Sequence, residues 1–118
     1  MTPGGNRILM LVDDEPAQTR LVTALAARAG WRTLGVTDAD SALATLETRD
    51  GMLLDAILID QAIPGGDTTS LIAKIRDLRP DLPILMLTAL SSVEVAVEAM
   101  RAGATDFLAK PIAPDRLL

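Results

Sequence analysis

Four short apolar segments of this 118-residue sequence each end at residues whose side chains could bind a cation or a phosphoryl group. Carboxylates brought together would repel one another, and a divalent cation would relieve that repulsion. A carboxylate beside a metal ion can act as a nucleophile and form an acyl phosphate, while a lysine and a hydroxyl hold the phosphoryl oxygens. The residues are Asp13 and Asp14 after residues 8–12, Asp60 after residues 56–59, Thr88 after residues 83–87 and Lys110 after residues 106–109.

These apolar segments predict buried β-strands, and helical periodicity separates them. Short continuous apolar runs are typical of strands covered on both faces. A weaker strand is predicted at residues 33–36, and apolar residues at helical spacing mark four helices around residues 21–29, 39–46, 71–78 and 93–100. Strict alternation of strands and helices indicates a parallel sheet with helices on both faces. Ligands of such sheets bind at the carboxyl ends of the strands, where all the polar residues above are expected to meet.

The bulk composition restricts the chemistry further. The length corresponds to one domain, and 49% apolar residues are enough for a core. The absence of histidine and cysteine removes the commonest general base and the usual ligands of zinc. A net charge of −5 without a basic cluster argues against direct nucleic-acid binding. We expect residues 1–6 to be a flexible lead-in rather than a signal peptide, and no apolar run is long enough for a membrane span.

Each polar residue also has a purely structural interpretation. Asp13 and Asp14 could cap the first helix, Asp60 could be a turn residue before Pro64, and Lys110 could be an ordinary solvated lysine. Their joint occurrence at the ends of the appropriate strands favours a chemical site over these separate explanations.

The sequence resembles response-regulator receiver domains of two-component systems over nearly its whole length. The matching stretches are ILMLVDDEP at residues 8–16, DAILIDQAIPGGD at 55–67, ILMLTA at 84–89 and GATDFLAKP at 103–111. The resemblance implies an α/β flavodoxin-like fold over residues 7–118, with a five-stranded parallel sheet in the order 2-1-3-4-5. It also implies a cytoplasmic regulatory domain rather than an enzyme. Such a domain accepts a phosphoryl group from a sensor histidine kinase or phosphotransfer protein and assists its own phosphorylation and dephosphorylation.

The resemblance assigns roles to individual positions. Asp60 is implied to be the phosphoacceptor. Asp14, Asp60 and the carbonyl of Ala62 are implied to contact Mg²⁺ (or Mn²⁺ in its place), with Asp13 acting partly through water. Thr88 and Lys110 are implied to hold the phosphoryl oxygens.

The resemblance also implies roles in signalling for Phe107, Ala62 and Leu90. Phe107 aligns with the aromatic switch residue, which is implied to move together with Thr88 and to alter the face built by the fourth helix and the fifth strand. That face is implied to control an output domain or partner and is a possible homodimer surface. By the same resemblance, Ala62 and Leu90 are implied to flank the path of the water that would remove the phosphoryl group, and their apolar side chains predict slow dephosphorylation.

Two features depart from the family pattern. Thr68 stands where a glycine is usual, which we expect to affect only the start of the third helix. The fifth helix is expected to be truncated to about one turn in residues 114–118, as in a fragment of a longer regulator whose output domain is absent. Residues 95–111 are most similar to receivers of sigma-54-dependent or related transcriptional activators.

Three other functions are weighed against this hypothesis. A receiver-like interaction domain that is not phosphorylated usually lacks one of the residues present here. A flavin-binding protein would need a phosphate loop rich in serine, threonine or glycine after the first strand, where this chain is acidic. A magnesium-dependent phosphatase with an aspartyl nucleophile usually has a second acid two residues later, where this chain has Ala62.

Overall fold

The computed structural model describes residues 7–63, 67–89 and 93–110, with only the backbone described at Ala89, Val93 and Lys110. It contains a five-stranded sheet with helices in the connections. The strands are β1 (Arg7–Val12), β2 (Trp31–Val36), β3 (Ala56–Asp60), β4 (Ile84–Ala89) and β5 (Asp106–Lys110). The helices are α1 (Pro16–Arg28), α2 (Ala39–Leu46), α3 (Arg49–Met52), α4 (Thr68–Leu78) and α5 (Val93–Ala102).

The strand order is β2-β1-β3-β4-β5, and every neighbouring pair is parallel. This confirms the flavodoxin-like order expected from the sequence. The order reverses between β1 and β3, so a crevice is expected outside the carboxyl ends of those two strands. Residues 111–118, where the truncated last helix was predicted, lie outside the described part of the chain. Because α3 is an additional helix, the predicted third and fourth helices are α4 and α5.

Two hydrophobic cores lie on opposite faces of the sheet, because side chains alternate between the faces along each strand. On one face Leu9, Leu11 and Leu58 pack against α1 through Val22 and Leu25. The other face packs against α2, α4 and α5. Its larger core includes Met10, Val12, Ile57, Ile59, Ile72, Ile75, Ile84, Met86, Ala96 and Ala99. Strands β1 and β3 are thus covered on both sides, as their continuous apolar runs predicted.

The helix ends follow local hydrogen bonding, with one difference from expectation. Glu15, rather than Asp14, is the N-cap of α1, and its side chain accepts a hydrogen bond from the Ala17 N–H at 3.2 Å. Asp67 caps α4 by accepting from the Thr69 N–H at 3.2 Å. Gly30 ends α1 with a φ of +86°, a conformation that glycine adopts without strain.

Besides shifts of one or two residues at the ends of other elements, two differences from the sequence-based prediction stand out. Strand β2 begins at Trp31, two residues earlier than predicted, and the Trp31 ring lies 5.6 Å from the Arg7 guanidinium carbon. The one-turn helix α3 was not predicted; Thr48 caps it by accepting from the Gly51 N–H at 3.0 Å. No helix in the described ranges is long and apolar enough to cross a membrane.

Candidate functional site

The register of the sheet places the predicted residues at one edge. Asp60 is the last residue of β3 and pairs with Leu87, so Thr88 lies one position beyond it on the neighbouring strand. Asp13 directly follows β1, and its N–H donates to the carbonyl of Val36 on β2 at 3.0 Å. Lys110 ends β5 opposite Ala89. The backbone therefore brings all four strand ends to the edge predicted from the sequence.

The side chains of Asp13, Asp60 and Thr88 are buried, with 2%, 4% and 1% of their surfaces exposed. Burial of acidic groups is expensive unless charge or hydrogen bonds compensate it. Each carboxylate accepts a nearby backbone N–H: Asp13 Oδ1 from Glu15 at 3.0 Å and Asp60 Oδ2 from Ala62 at 3.2 Å. These bonds fix the orientation of both carboxylates at the edge of the sheet.

Gln18 connects the two acids. Its side-chain nitrogen lies 2.6 Å from Asp13 Oδ2 and 3.3 Å from Asp60 Oδ1. Oxygens from two different strand ends thus lie beside the same nitrogen. The first turn of α1 contributes directly to the site, together with the strand ends.

The loop after β3 is held by a buried hydroxyl. Thr68, at the first turn of α4, donates to the carbonyl of Gln61 at 2.8 Å and approaches the carbonyl of Asp60 at 3.2 Å. The expectation that Thr68 affects only the start of this helix is therefore wrong, since the glycine usual at this position could not make these contacts.

Thr88 is hydrogen-bonded to Gln61, the residue that follows Asp60. Its hydroxyl donates to the side-chain oxygen of Gln61. The N–H of Gln61 in turn donates to the carbonyl of Leu87 at 2.9 Å, which extends the pairing of β3 with β4. The position of the Thr88 hydroxyl is therefore coupled to the segment that leaves Asp60.

The remaining predicted residues are either exposed or lie, in whole or in part, outside the described residues. Asp14 follows Asp13 directly and Ala62 is two residues after Asp60, and both are exposed. Phe107 is 38% exposed on β5. The side chain of Lys110 and the whole of Leu90 lie outside the described residues, so their predicted roles stay predictions.

Sequence reasoning missed Gln18 and Gln61, and it limited the role of Thr68 to the start of its helix. A signal existed for Gln18, since it stands four residues before Val22 and so shares the buried face of α1. A polar side chain on that face at the first turn, directly after two aspartates, indicates a polar partner at the sheet edge. No comparable pattern marks Gln61.

A family model described as the response regulator receiver domain matches residues 9–118. The chain belongs to this family. It is 36% identical over 109 residues to the transcriptional regulatory protein ZraR of Salmonella typhimurium, covering 92% of this chain and 24% of ZraR. It is 36% identical over 117 residues to the transcriptional regulatory protein FixJ of Bradyrhizobium diazoefficiens, covering 99% of this chain and 55% of FixJ. The chain thus spans a quarter to a half of these relatives.

Solved structures agree with this assignment. The receiver domain of NtrX from Brucella abortus matches with a TM-score of 0.83 and 34% identity, over 92% of this chain and 90% of that one. A putative response regulator from Chloroflexus aurantiacus matches with a TM-score of 0.86 and 32% identity, over 94% and 90%. This receiver domain therefore shares its sequence pattern with proteins named as transcriptional regulators and its fold with solved response-regulator receiver domains.

Receiver domains generally depend on Mg²⁺, and the donors of this site fit that ion. Within the described ranges, no group of three acidic side chains is close enough to form a metal site by itself. The buried oxygens of Asp13 and Asp60, however, already lie beside one amide nitrogen, and carboxylate oxygens are the ligands that Mg²⁺ prefers. A receiver of this kind also needs only one or two direct carboxylates, because Mg²⁺ keeps several waters.

Proposed function

We propose that this receiver domain accepts a phosphoryl group on Asp60 and thereby controls an output domain or partner. The observation that carries the proposal is the buried carboxylate of Asp60 at a strand end, in one hydrogen-bonded cluster with the buried Asp13. Burying two carboxylates close together costs free energy unless positive charge compensates them, and a bound cation can supply that charge.

The transfer follows from the chemistry of the carboxylate. The proposed donor is a phosphohistidine of a sensor histidine kinase or phosphotransfer protein. An Asp60 oxygen forms a bond to phosphorus while the phosphorus–nitrogen bond breaks, and the departing imidazole nitrogen keeps the electron pair. The Ala62 N–H orients the attacking carboxylate at 3.2 Å, so the nucleophile is held before the donor arrives.

The remaining residues stabilise the transferred group. Asp13, Asp14, Asp60 and the carbonyl of Ala62 would hold Mg²⁺, or Mn²⁺ in its place, which supplies positive charge beside the phosphoryl oxygens when bound. Thr88 would donate its hydroxyl to one phosphoryl oxygen, and Lys110 would neutralise another. With these roles, the domain would act as a regulatory phosphoacceptor that assists its own phosphorylation and dephosphorylation.

The proposed output is a change of the surface built by α5 and β5. When Thr88 turns toward the phosphoryl group, it leaves space that the Phe107 side chain can enter. The elements that build this surface carry exposed apolar side chains, which suit a partner or a second copy of the domain. They are Val95, Val97, Met100 and Phe107.

The relatives support a cellular setting for this switch. ZraR and FixJ are named transcriptional regulators and are much longer than the matched region. We therefore place the domain in the cytoplasm, where it would control an output domain that acts in transcription. The receiver itself would not contact nucleic acid, because its net charge is −5.

The experiment that tests the proposal is phosphorylation with acetyl phosphate, followed by intact mass measurement. The wild-type chain should gain one phosphoryl group in Mg²⁺ and none in excess EDTA. Asp60→Asn should gain none, whereas Asp77→Asn, an exposed aspartate on α4, should behave as wild type. A wild-type chain that gains no phosphoryl group would instead favour a receiver-like interaction domain.

A further inference from the structure

Gln18 places an uncharged donor where the two buried carboxylates approach each other. It is the third residue of α1, half-buried, and its side chain turns toward the sheet edge. The amide nitrogen reaches Asp13 Oδ2 at 2.6 Å and Asp60 Oδ1 at 3.3 Å. An amide nitrogen carries two hydrogens, so one group can serve both acids at once.

The two oxygens that Gln18 holds are distinct from those bound by the backbone. Glu15 donates to the other oxygen of Asp13, and Ala62 donates to the other oxygen of Asp60. A cation shared by Asp13 and Asp60 through the oxygens that share the Gln18 nitrogen would need the space of that nitrogen. The Gln18 amide therefore competes with such a cation for these two oxygens.

We infer that Gln18 is a positioning residue that competes with Mg²⁺ for Asp13 and Asp60, and so sets the metal concentration at which this receiver can be phosphorylated. The inference rests on the proposed function, since it concerns the same two carboxylates. Without metal, the amide donates hydrogen bonds to both buried carboxylates and holds them in place. With metal, the amide must leave both oxygens, and the lost hydrogen bonds reduce the net affinity.

The competition predicts opposite effects for two substitutions. Gln18→Met keeps the length of the side chain but has no hydrogen-bond donor. Mg²⁺ therefore has no donor to displace at this position. Its Kd for Mg²⁺ should fall by about tenfold, because hydrogen bonds to charged groups are worth at least that factor. Gln18→Lys places a fixed ammonium group beside the same oxygens, and its Kd should rise by about tenfold or more.

The test is calorimetric titration of the metal-free protein with MgCl₂, with melting curves to show that each variant is folded. Thr23→Ala, an exposed change on the same helix, is the matched control and should bind as wild type. An unchanged or weaker affinity in a folded Gln18→Met would overturn the inference, as would a wild-type chain that binds no Mg²⁺.

A second measurement needs no variant for its main result. The side-chain NH₂ resonances of Gln18, assigned by their loss in Gln18→Met, should shift on saturation with Mg²⁺ as the hydrogen bonds to the carboxylates break. Resonances that stay in place at saturation would contradict the displacement.

The two proposals fail in different ways. A wild-type chain that binds Mg²⁺ but gains no phosphoryl group from acetyl phosphate refutes the phosphoacceptor function and leaves the competition intact. A chain that is phosphorylated at Asp60 but whose Mg²⁺ affinity does not depend on Gln18 refutes only the role of Gln18.

Discussion

The hydroxyl of Thr88 donates to the side-chain oxygen of Gln61, the residue immediately after Asp60. The two residues lie on the neighbouring strand ends of β4 and β3, so the contact crosses the site. In the proposed switch the same hydroxyl must turn to a phosphoryl oxygen. Gln61 therefore opposes the proposed activated arrangement.

We expect Gln61→Leu to raise the rate of phosphorylation by acetyl phosphate about fivefold, because a net hydrogen bond is worth about 1 kcal/mol. Timed intact-mass measurements would report the rate. In a Thr88→Ala background the same change should have a smaller effect, since the hydroxyl that Gln61 holds is gone. A rate that falls in Gln61→Leu would show that Gln61 assists the reaction instead.

Thr68 should stabilise the fold through its buried hydroxyl. Thr68→Val has nearly the same shape but leaves the carbonyl of Gln61 without this donor, so we expect the free energy of unfolding to fall by about 1–3 kcal/mol. Urea denaturation followed by circular dichroism would measure it. Thr68→Ser keeps the hydroxyl and should lose less; an unchanged free energy of unfolding in Thr68→Val would show that the hydroxyl does not stabilise the fold.

Arg76 joins three segments on the far side of the molecule from the site. Its guanidinium donates to the carbonyls of Leu82 at 2.7 Å, Pro80 at 2.8 Å and Gly103 at 2.8 Å. Gly103 has a φ of +123°, and a Cβ there would lie 2.9 Å from Arg76 Cγ. A larger residue at position 103 would therefore collide with the Arg76 side chain.

Substitution of Arg76 should be costly because several carbonyls lose a charged donor together. We expect Arg76→Met to lower the free energy of unfolding by about 2–4 kcal/mol. Chemical denaturation would measure this. Lys74→Met removes an exposed positive charge from the same helix and is the control, with an expected change within about 0.5 kcal/mol. Similar losses in both would indicate a general charge effect.

The lifetime of the phosphoryl group should depend on positions 62 and 90. The side chains of Ala62 and Leu90 cannot hydrogen-bond a water molecule, so neither would orient it for attack on the acyl phosphate. We expect the double variant Ala62→Asn, Leu90→Glu to lose its phosphoryl group severalfold faster than wild type, as followed by intact mass after removal of acetyl phosphate. Ala27→Asn, on the exposed face of α1, should not change the lifetime. An unchanged lifetime in a folded double variant would assign water access to other residues.

Interior strands were predictable because burial on both faces leaves a continuous apolar run, as in residues 8–12 and 56–59. The edge strand β2 is only half-buried and includes Arg32, so its start at Trp31 carried a weaker signal. Helix α3 has four residues, which is too short for any helical period to be recognised.

The site likewise contains residues that could be predicted from the sequence and residues that could not. Asp13, Asp60 and Thr88 could be placed from strand ends, because parallel topology alone brings those ends together. The hydrogen bonds of Gln18 and Gln61 depend on side-chain rotamers and on distances between separate elements. Such details follow from tertiary packing, and neither residue type nor spacing specifies them.

The order of the strands also bears on the growth of the sheet during synthesis. Strands β2, β1 and β3 are neighbours, and all lie within residues 7–60. The first half of the polypeptide can therefore pair three strands while the rest is still on the ribosome. Until residues 84–89 emerge, β3 is an open edge, and an unpaired apolar edge is a template for association with other chains. Translation speed between residues 60 and 89 thus sets how long the strand that carries Asp60 is exposed to other nascent chains.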